Sequence, residues 1–202
     1  MQNHSTDRPF STHDSNNSAA KTGVKLEKAQ LRRQLLETRR SVNFRQRSQW
    51  DKQIIQQILG WAKTHQPTTM GVYWSIQSEA DLFTCYQDLS ASGIQLSLPV
   101  VIGQGQALRY ASWRPGQDTV RGAMGVPVPA HIEFVEMPQA LIIPCVGHNA
   151  AGNRLGYGGG FYDRTLAPSP RPTTIGISYP SLKVEFEVSE YDICLDMIFC
   201  GE

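Results

Sequence analysis

Hydrophobic residues recur along this chain with two periods, and the change of period divides it into helices and strands. Between 25 and 40, Leu26, Leu31, Leu35 and Leu36 fall on or near one stripe of a helix. The opposite side of that helix reads as strongly basic, with Lys25, Lys28, Arg32, Arg33, Arg39 and Arg40. A second helix is expected over about 44 to 63, its apolar face carrying Ile54, Ile55, Ile58, Leu59 and Trp61. The apolar run from Thr69 to Ile76 reads as a buried strand, and Ser78 as the cap of a third helix from Glu79 to Ser90, ended by Gly93. Strict alternation predicts a strand over Ile94–Ile102, a turn at Gly103–Gln106 and a partner strand over Ala107–Trp113. Arg114 to Pro138 is punctuated by glycine and proline and reads as a loop. Further strands are expected at Ala140–Pro144, Thr173–Tyr179 and Met197–Cys200. Strands alternating with helices predict an α/β domain whose mostly parallel sheet is covered on both faces.

Length and composition narrow this picture. The 202 residues, 40% apolar and 18% charged, suit one domain with a substantial core. Residues 1–23 are rich in Ser, Asn and Thr and read as a disordered polar tail, leaving 24–202 as the single folded domain. No apolar stretch approaches a membrane span, and the N-terminus lacks the apolar core of a signal peptide. Cys85, Cys145, Cys194 and Cys200 form no C-x-x-C pair, so they read as reduced thiols of a cytoplasmic protein, with Cys145 and Cys200 buried. A net charge of +1 argues against a nucleic-acid partner, so any basic site must be local.

The densest chemistry lies between Gly147 and Arg164. Six glycines fall within positions 147 to 160, interleaved with Arg154 and Tyr157 and followed by Phe161, Tyr162, Asp163 and Arg164. Glycine costs backbone entropy, so such a cluster implies close approach of something bulky to the main chain. Bare amides ahead of a helix favour an anion, and phosphate is the natural candidate. The pattern is neither the dinucleotide fingerprint nor a Walker A loop. The basic helix offers a second element: Lys25, Lys28 and Arg32 share a face, and Lys28 and Arg32 are spaced to reach one phosphate, although a merely solvated helix face would look alike. Glu79 follows a buried strand in an α/β layout. It reads either as a ligand-binding carboxylate beyond the strand end or as a first-turn acid interacting with a helix dipole. Asp163 and Asp196 are hard oxygen donors of the kind Mg²⁺ prefers beside phosphates, and either could equally be a cap or a surface charge. His148 reads as a loop residue rather than a base.

Together these residues resemble the 5-formyltetrahydrofolate cyclo-ligase family. The resemblance rests on Gly152-Asn-Arg-Leu-Gly-Tyr-Gly-Gly-Gly-Phe-Tyr-Asp-Arg-Thr-Leu166, supported by Lys28-Ala-Gln-Leu-Arg32, Tyr73–Glu79, Gly125–Pro129 and the Asp192-x-x-x-Asp196 pair, and it spans about 25 to 202. It implies a three-layer α/β/α sandwich like those of sugar-phosphate isomerases and CoA transferases. It implies ATP contacts at Lys28, Arg32, Arg154, Leu155, Gly156, Tyr157, Gly158, Gly159, Gly160, Phe161 and Tyr162. Folate contacts are implied at Trp74, Glu79 and Tyr157 through Phe161, and Mg²⁺ near Asp163 and Asp196. Arg154, Lys28 and Tyr162 are the implied catalytic side chains. Asn149 stands where the family usually has Asp, and Tyr191 where His is common.

The implied reaction closes a ring from 5-formyltetrahydrofolate, giving 5,10-methenyltetrahydrofolate, ADP and phosphate through a phosphorylated formyl group. Phosphoryl transfer is mainly positioning and charge stabilisation, which suits a glycine-rich cradle with Lys, Arg and Mg²⁺. A folate- or nucleotide-binding protein of the same fold without turnover is the alternative. The expected partners are the folate and ATP, with no nucleic acid or membrane, and a monomer or weak homodimer is expected.

Overall fold

The computed structural model describes residues 15–202; the first part of the expected tail lies outside the described residues. In chain order the elements are α1 (Ser15–Ser41), α2 (Phe44–His65), β1 (Thr69–Gly71), α3 (Phe83–Ala91), β2 (Gln95–Val101) and β3 (Leu108–Ser112). There follow β4 (Thr119–Arg121), β5 (Pro127–Pro129), β6 (Phe134–Val135), β7 (Ala140–Pro144), β8 (Gly147–His148) and β9 (Arg154–Leu155). The chain ends with α4 (Phe161–Leu166), β10 (Thr173–Ser178) and β11 (Met197–Cys200). α1 starts earlier than the leucine pattern predicts, at Ser15 rather than Lys25. α2 is set by Asn43, whose side chain accepts a hydrogen bond from the Gln46 amide at 2.9 Å, a standard N-cap.

Seven strands form one sheet in the order β11-β10-β7-β1-β2-β3-β6. The first five run parallel, and β3 and β6 complete one edge antiparallel. β7 shows why both faces must be covered. Ile142 packs with the α1–α3 side, among Ile54, Ile58, Leu89 and Ile175, while Leu141 and Ile143 point the other way to Leu166 of α4 and Leu195. Side chains alternate across a strand, so an uninterrupted apolar strand needs two apolar layers. The result is the α/β/α arrangement expected from the pattern of elements, with a thin second helical layer.

Three local expectations change. The strand expected over 69–76 leaves the ladder after Gly71. Val72 keeps one sheet hydrogen bond, to Ser97 O at 2.9 Å, and Val72 and Tyr73 stay buried. The hydrophobic run therefore reports burial and not strand length. The chain then turns sharply, with Gln77 and Ser78 at φ of 47° and 63°, so Ser78 caps no helix and α3 starts only at Phe83. The segment expected as a loop, 114–138, contains the β4–β5 hairpin and the edge strand β6. The basic residues of α1 also do not all oppose its apolar stripe. Leu35 and Arg39 are both buried, Lys28 and Arg32 are half-buried, and Arg33 and Arg40 are exposed.

Gly71 lets β1 fit between its neighbours. A Cβ there would lie 2.5 Å from Leu141 Cδ2 and from Tyr110 Cε1. Gly71→Ala is expected to lower stability by about 1–3 kcal/mol, the usual range for overpacking. Urea unfolding checks this, and a midpoint equal to that of the parent would show that Tyr110 and Leu141 do not fill that space.

Candidate active site

The order of the sheet fixes where a ligand can enter. From β1 the chain winds outward through β2 and β3, then returns to the other side of β1 with β7 and winds outward through β10 and β11. The direction of winding reverses between β1 and β7, and the crevice beyond the carboxyl ends of strands at such a point is the usual ligand site of α/β folds. Here that crevice is a cleft of about 280 Å³. Its walls come from the turn after β1 (Tyr73, Trp74, Glu79), the glycine loop between β9 and α4, the stripe of α1, and an apolar side that includes Val101, Leu108, Met124 and Val128.

The glycine loop meets α1 through a hydrogen bond. Arg32 Nε donates to Gly156 O at 2.7 Å. Gly158 and Gly160 have φ of 93° and 65°, which disfavours side chains, and a Cβ at Gly158 would also press on the Arg32 guanidinium at 3.3 Å. Lys28 Nζ pairs with Asp192 Oδ2 at 2.6 Å. Arg154, buried in the short β9 strand, donates to Asp163 Oδ1 at 2.6 Å and to Ile193 O at 2.9 Å. Its guanidinium also lies 5.8 Å from the centre of the Tyr162 ring. Burial pushes the Tyr162 phenol well above its ordinary range, so it stays protonated. Trp74 is braced edge-on by Trp113, ring centres 5.9 Å apart, and Trp113 is itself buried against Tyr86.

Glu79 sits almost wholly inside this wall. Its Oε2 accepts the Ile76 amide at 2.9 Å, and its Oε1 accepts a short hydrogen bond from the Tyr157 hydroxyl. The Arg39 guanidinium lies 3.9 Å from the same oxygen and donates to Tyr157 Oη at 2.5 Å. Desolvation raises the Glu79 carboxyl above its ordinary value, against the lowering influence of Tyr157, the Ile76 amide and Arg39. Of the two readings of Glu79, the helix-dipole one falls away because α3 begins four residues on, at Phe83.

All the expected nucleotide and folate residues therefore line one cleft: Lys28, Arg32, Trp74, Glu79 and the run from Arg154 to Tyr162. Asp163 joins them, but Asp196 does not. Asp196 Oδ2 accepts both the amide and the hydroxyl of Thr174 at 2.7 Å, at the amino end of the β10–β11 pair, and the residue lies in a separate groove with His148 and Lys183. The expected grouping of Asp163 with Asp196 is thus not assembled, because Asp196 is committed to Thr174 in that groove while Asp163 pairs with Arg154 in the cleft. Among the described residues no cluster of three or more His, Cys, Asp or Glu side chains is poised for a metal. Asp192 is the acid that reaches the cleft instead. His148 is buried in β8 and contacts Ser178 Oγ at 2.9 Å; burial, then Lys183, disfavours its protonation. Asn149 Oδ1 accepts the amides of Ala151 and Asn153, closing the β8–β9 turn as an aspartate oxygen would.

Arg39 escaped the sequence reading as a site residue, although it was in view among the basic residues of α1. The signal was its spacing: Lys28, Arg32, Leu35 and Arg39 are at i, i+4, i+7 and i+11, one stripe of a helix. Cys145 is buried as expected, while Cys200 is only half-buried and Cys194 is exposed.

The profile of the 5-formyltetrahydrofolate cyclo-ligase family matches residues 24–201. The chain belongs to that family. It is 29% identical to a 5-formyltetrahydrofolate cyclo-ligase of Mycoplasma pneumoniae over 183 residues, covering 88% of this chain and all of the relative. It is 27% identical to the Escherichia coli K12 protein of the same name over 169 residues, 79% of this chain and 92% of that one. A solved 5,10-methenyltetrahydrofolate synthetase from Mycoplasma pneumoniae superposes with a TM-score of 0.72 at 25% identity, covering 85% of this chain and 97% of that one. The Aquifex aeolicus protein of that name shares the fold, with a TM-score of 0.74 at 23% identity and coverage of 86% and 89%. Among the described residues no helix is long and apolar enough to cross a membrane.

The buried carboxyl has a measurable consequence. A folded-state Glu79 value raised above 4.5 means that the unfolded chain ionises first as pH rises, so wild-type stability falls from about that pH upward through the raised value. Glu79→Gln removes this loss. Its stability relative to wild type is expected to rise between pH 4 and 7, as read from urea midpoints. A pH-independent difference would mean that Glu79 titrates normally in the folded protein.

Proposed function

We propose that this family member converts 5-formyltetrahydrofolate and ATP to 5,10-methenyltetrahydrofolate, ADP and phosphate. The observation that carries this reading is the convergence in one cleft of three cations, Lys28, Arg32 and Arg154, with an aromatic and apolar wall and one buried carboxylate, Glu79. The cations suit a triphosphate, the wall suits a flat heterocycle, and the carboxylate suits its N–H donors. The names of the relatives point to the same substrate.

The chemistry explains why ATP is needed. A formamide oxygen leaves poorly as hydroxide. Attack by that oxygen on the γ-phosphorus breaks the bond to the β-phosphate bridge, releases ADP and leaves an iminium phosphate at N5. N10 then attacks the formyl carbon, the carbon–oxygen bond breaks, and phosphate departs with the electron pair. The departing phosphate can carry off the N10 proton, so neither a protein nucleophile nor a protein base is required. Catalysis then rests on positioning and electrostatic stabilisation. Arg154 and the loop amides would hold the transferring phosphoryl group, Lys28 and Arg32 the rest of the triphosphate. Tyr162, kept protonated, would donate to an adjacent oxygen. Trp74 and Phe161 would wall the pterin while Glu79 orients it.

The residues present fit a phosphate-bound Mg²⁺. Among the described residues Arg154 and the Ile193 amide bind Asp163 through Oδ1, and Lys28 and the Ser189 amide bind Asp192 through Oδ2, so the other oxygen of each would serve a ligand. One or two carboxylates with phosphate oxygens are the usual Mg²⁺ set, and the ion would neutralise phosphate charge. Asp196, committed to Thr174, would take no part.

Mixing the protein with 5-formyltetrahydrofolate, ATP and Mg²⁺, and following near-ultraviolet absorbance together with ADP, tests the reading. Methenyl product that forms only with ATP, one ADP per folate, is expected; binding of both ligands without product would refute it. Arg154→Ala should lower kcat/KM by about a hundredfold, roughly 3 kcal/mol of barrier. Near-normal turnover in that variant would remove Arg154 from the mechanism. Chelation of divalent metal should abolish turnover, and activity persisting in excess chelator would exclude Mg²⁺ from the reaction.

A further inference from the structure

Arg39 is the most deeply buried cation described in the molecule, 1% exposed, and none of the proposed chemical steps uses it. Its guanidinium is satisfied on every side. Nε donates to Gln77 O at 3.0 Å, Nη1 to Cys145 O at 3.3 Å, and Nη2 to Tyr157 Oη at 2.5 Å, with Glu79 Oε1 3.9 Å away. These four partners come from three segments: the turn after β1, the end of β7, and the glycine loop. Those are the segments that form the strand-end walls of the cleft. A buried charge is tolerated only when paired and hydrogen-bonded, and guanidinium alone offers donors in a rigid planar fork.

We propose that Arg39 is a positioning residue that binds the Glu79 carboxylate and the Tyr157 hydroxyl into one fixed unit, so that the folate-facing and nucleotide-facing walls are set by a single buried cation. The inference rests on the proposed function only for what the unit presents to ligand; the unit itself stands on the contacts above. Arg39 does not itself line the cleft; it lies behind the lining and acts through Glu79 and Tyr157. Tyr157 is the link. It donates to Glu79, accepts from Arg39, and its ring lies 5.7 Å from the guanidinium carbon.

The unit opposes the desolvation that disfavours charge on Glu79. The titratable groups around that carboxylate are Tyr73 in the turn after β1, Tyr86 in α3, Cys145 after β7, Tyr157 in the glycine loop and Tyr162 in α4. Burial raises all of them, Cys145 to about 12, so they stay neutral near neutral pH. Arg39 is the cation that opposes desolvation of Glu79, alongside the hydrogen bonds from Tyr157 and the Ile76 amide.

The test is a carboxyl carbon NMR titration of protein labelled with ¹³C at glutamate Cδ, the Glu79 signal being identified by its loss in Glu79→Gln. In Arg39→Gln the Glu79 midpoint is expected to move up by about one to three pH units, the effect of removing a close opposite charge. The acid limb of kcat/KM for the folate should move up with it, and the folate KM should rise about tenfold or more, as loss of a charged hydrogen bond would give. A replacement that merely loosened the fold would lower the urea midpoint without moving the titration. Tyr157→Phe keeps the ring and removes only the linking hydroxyl, so it carries the test if Arg39→Gln fails to fold; its Glu79 midpoint should rise as well. An unmoved Glu79 midpoint in the folded variants overturns the inference. Normal folate binding by Glu79→Gln would instead overturn the reading of Glu79 as the folate contact, while the titration still decides the role of Arg39.

Discussion

A parallel sheet covered on both faces leaves only the ends of its strands open to a ligand, and this chain is built around that constraint. Ile142 needs one apolar layer and Leu141 and Ile143 need another, so helices close both sides. The reversal of winding between β1 and β7 then opens a crevice at their carboxyl ends. Everything with chemistry in it hangs from that crevice. The turn carrying Trp74 and Glu79 leaves β1 there, and the hairpin leading to the glycine loop follows β7 there. The end of β2 and the β4–β5 hairpin supply the apolar side.

Electrostatics then ties the pieces together. Three cations at or behind the cleft are matched to acceptors from distant parts of the chain, Lys28 to Asp192, Arg32 to the Gly156 carbonyl and Arg39 to Tyr157 and Glu79, while Arg154 pairs locally with Asp163. Such pairs are worth little when exposed, and when buried their desolvation offsets much of the attraction, but removing one partner of a buried pair strands the other charge at a large cost. The exchange is not free of cost. Desolvation lifts the Glu79 carboxyl even with a guanidinium beside it, so the folded state gives up stability as pH rises through that raised value. Asp196, expected near a metal, lies outside this pattern: it holds the β10–β11 edge together through Thr174 and serves the fold.

The main strands and the glycine cluster were readable from residue type and spacing. The ends of β7 and β11 coincide with the sequence expectation, and Lys28, Arg32, Glu79 and Arg154–Tyr162 all reach one cleft. The sequence misleads where a hydrophobic run reads as strand length. Val72 and Tyr73 are buried by the turn after β1, a fact that periodicity cannot separate from membership of a ladder. Within 114–138, the β4–β5 pair is closed by a turn in which Met124 and Gly125 take φ of 59° and 75°, which alternation does not signal. Arg39 was grouped with solvent-facing basic residues because charge is a poor guide to burial when the acceptors lie more than a hundred residues away in sequence, as Cys145 and Tyr157 do.

The sequence by itself determined the class of fold, the loop that approaches a ligand and the residue types gathered there, because period, glycine density and charge are local properties of a chain. The tertiary structure decided which of two similar carboxylates meets the cleft, which face of α1 turns inward, and which buried cation joins the two walls. Those outcomes depend on strand order and on which end of a strand a residue occupies, and they emerge only when segments distant in sequence pack against one another.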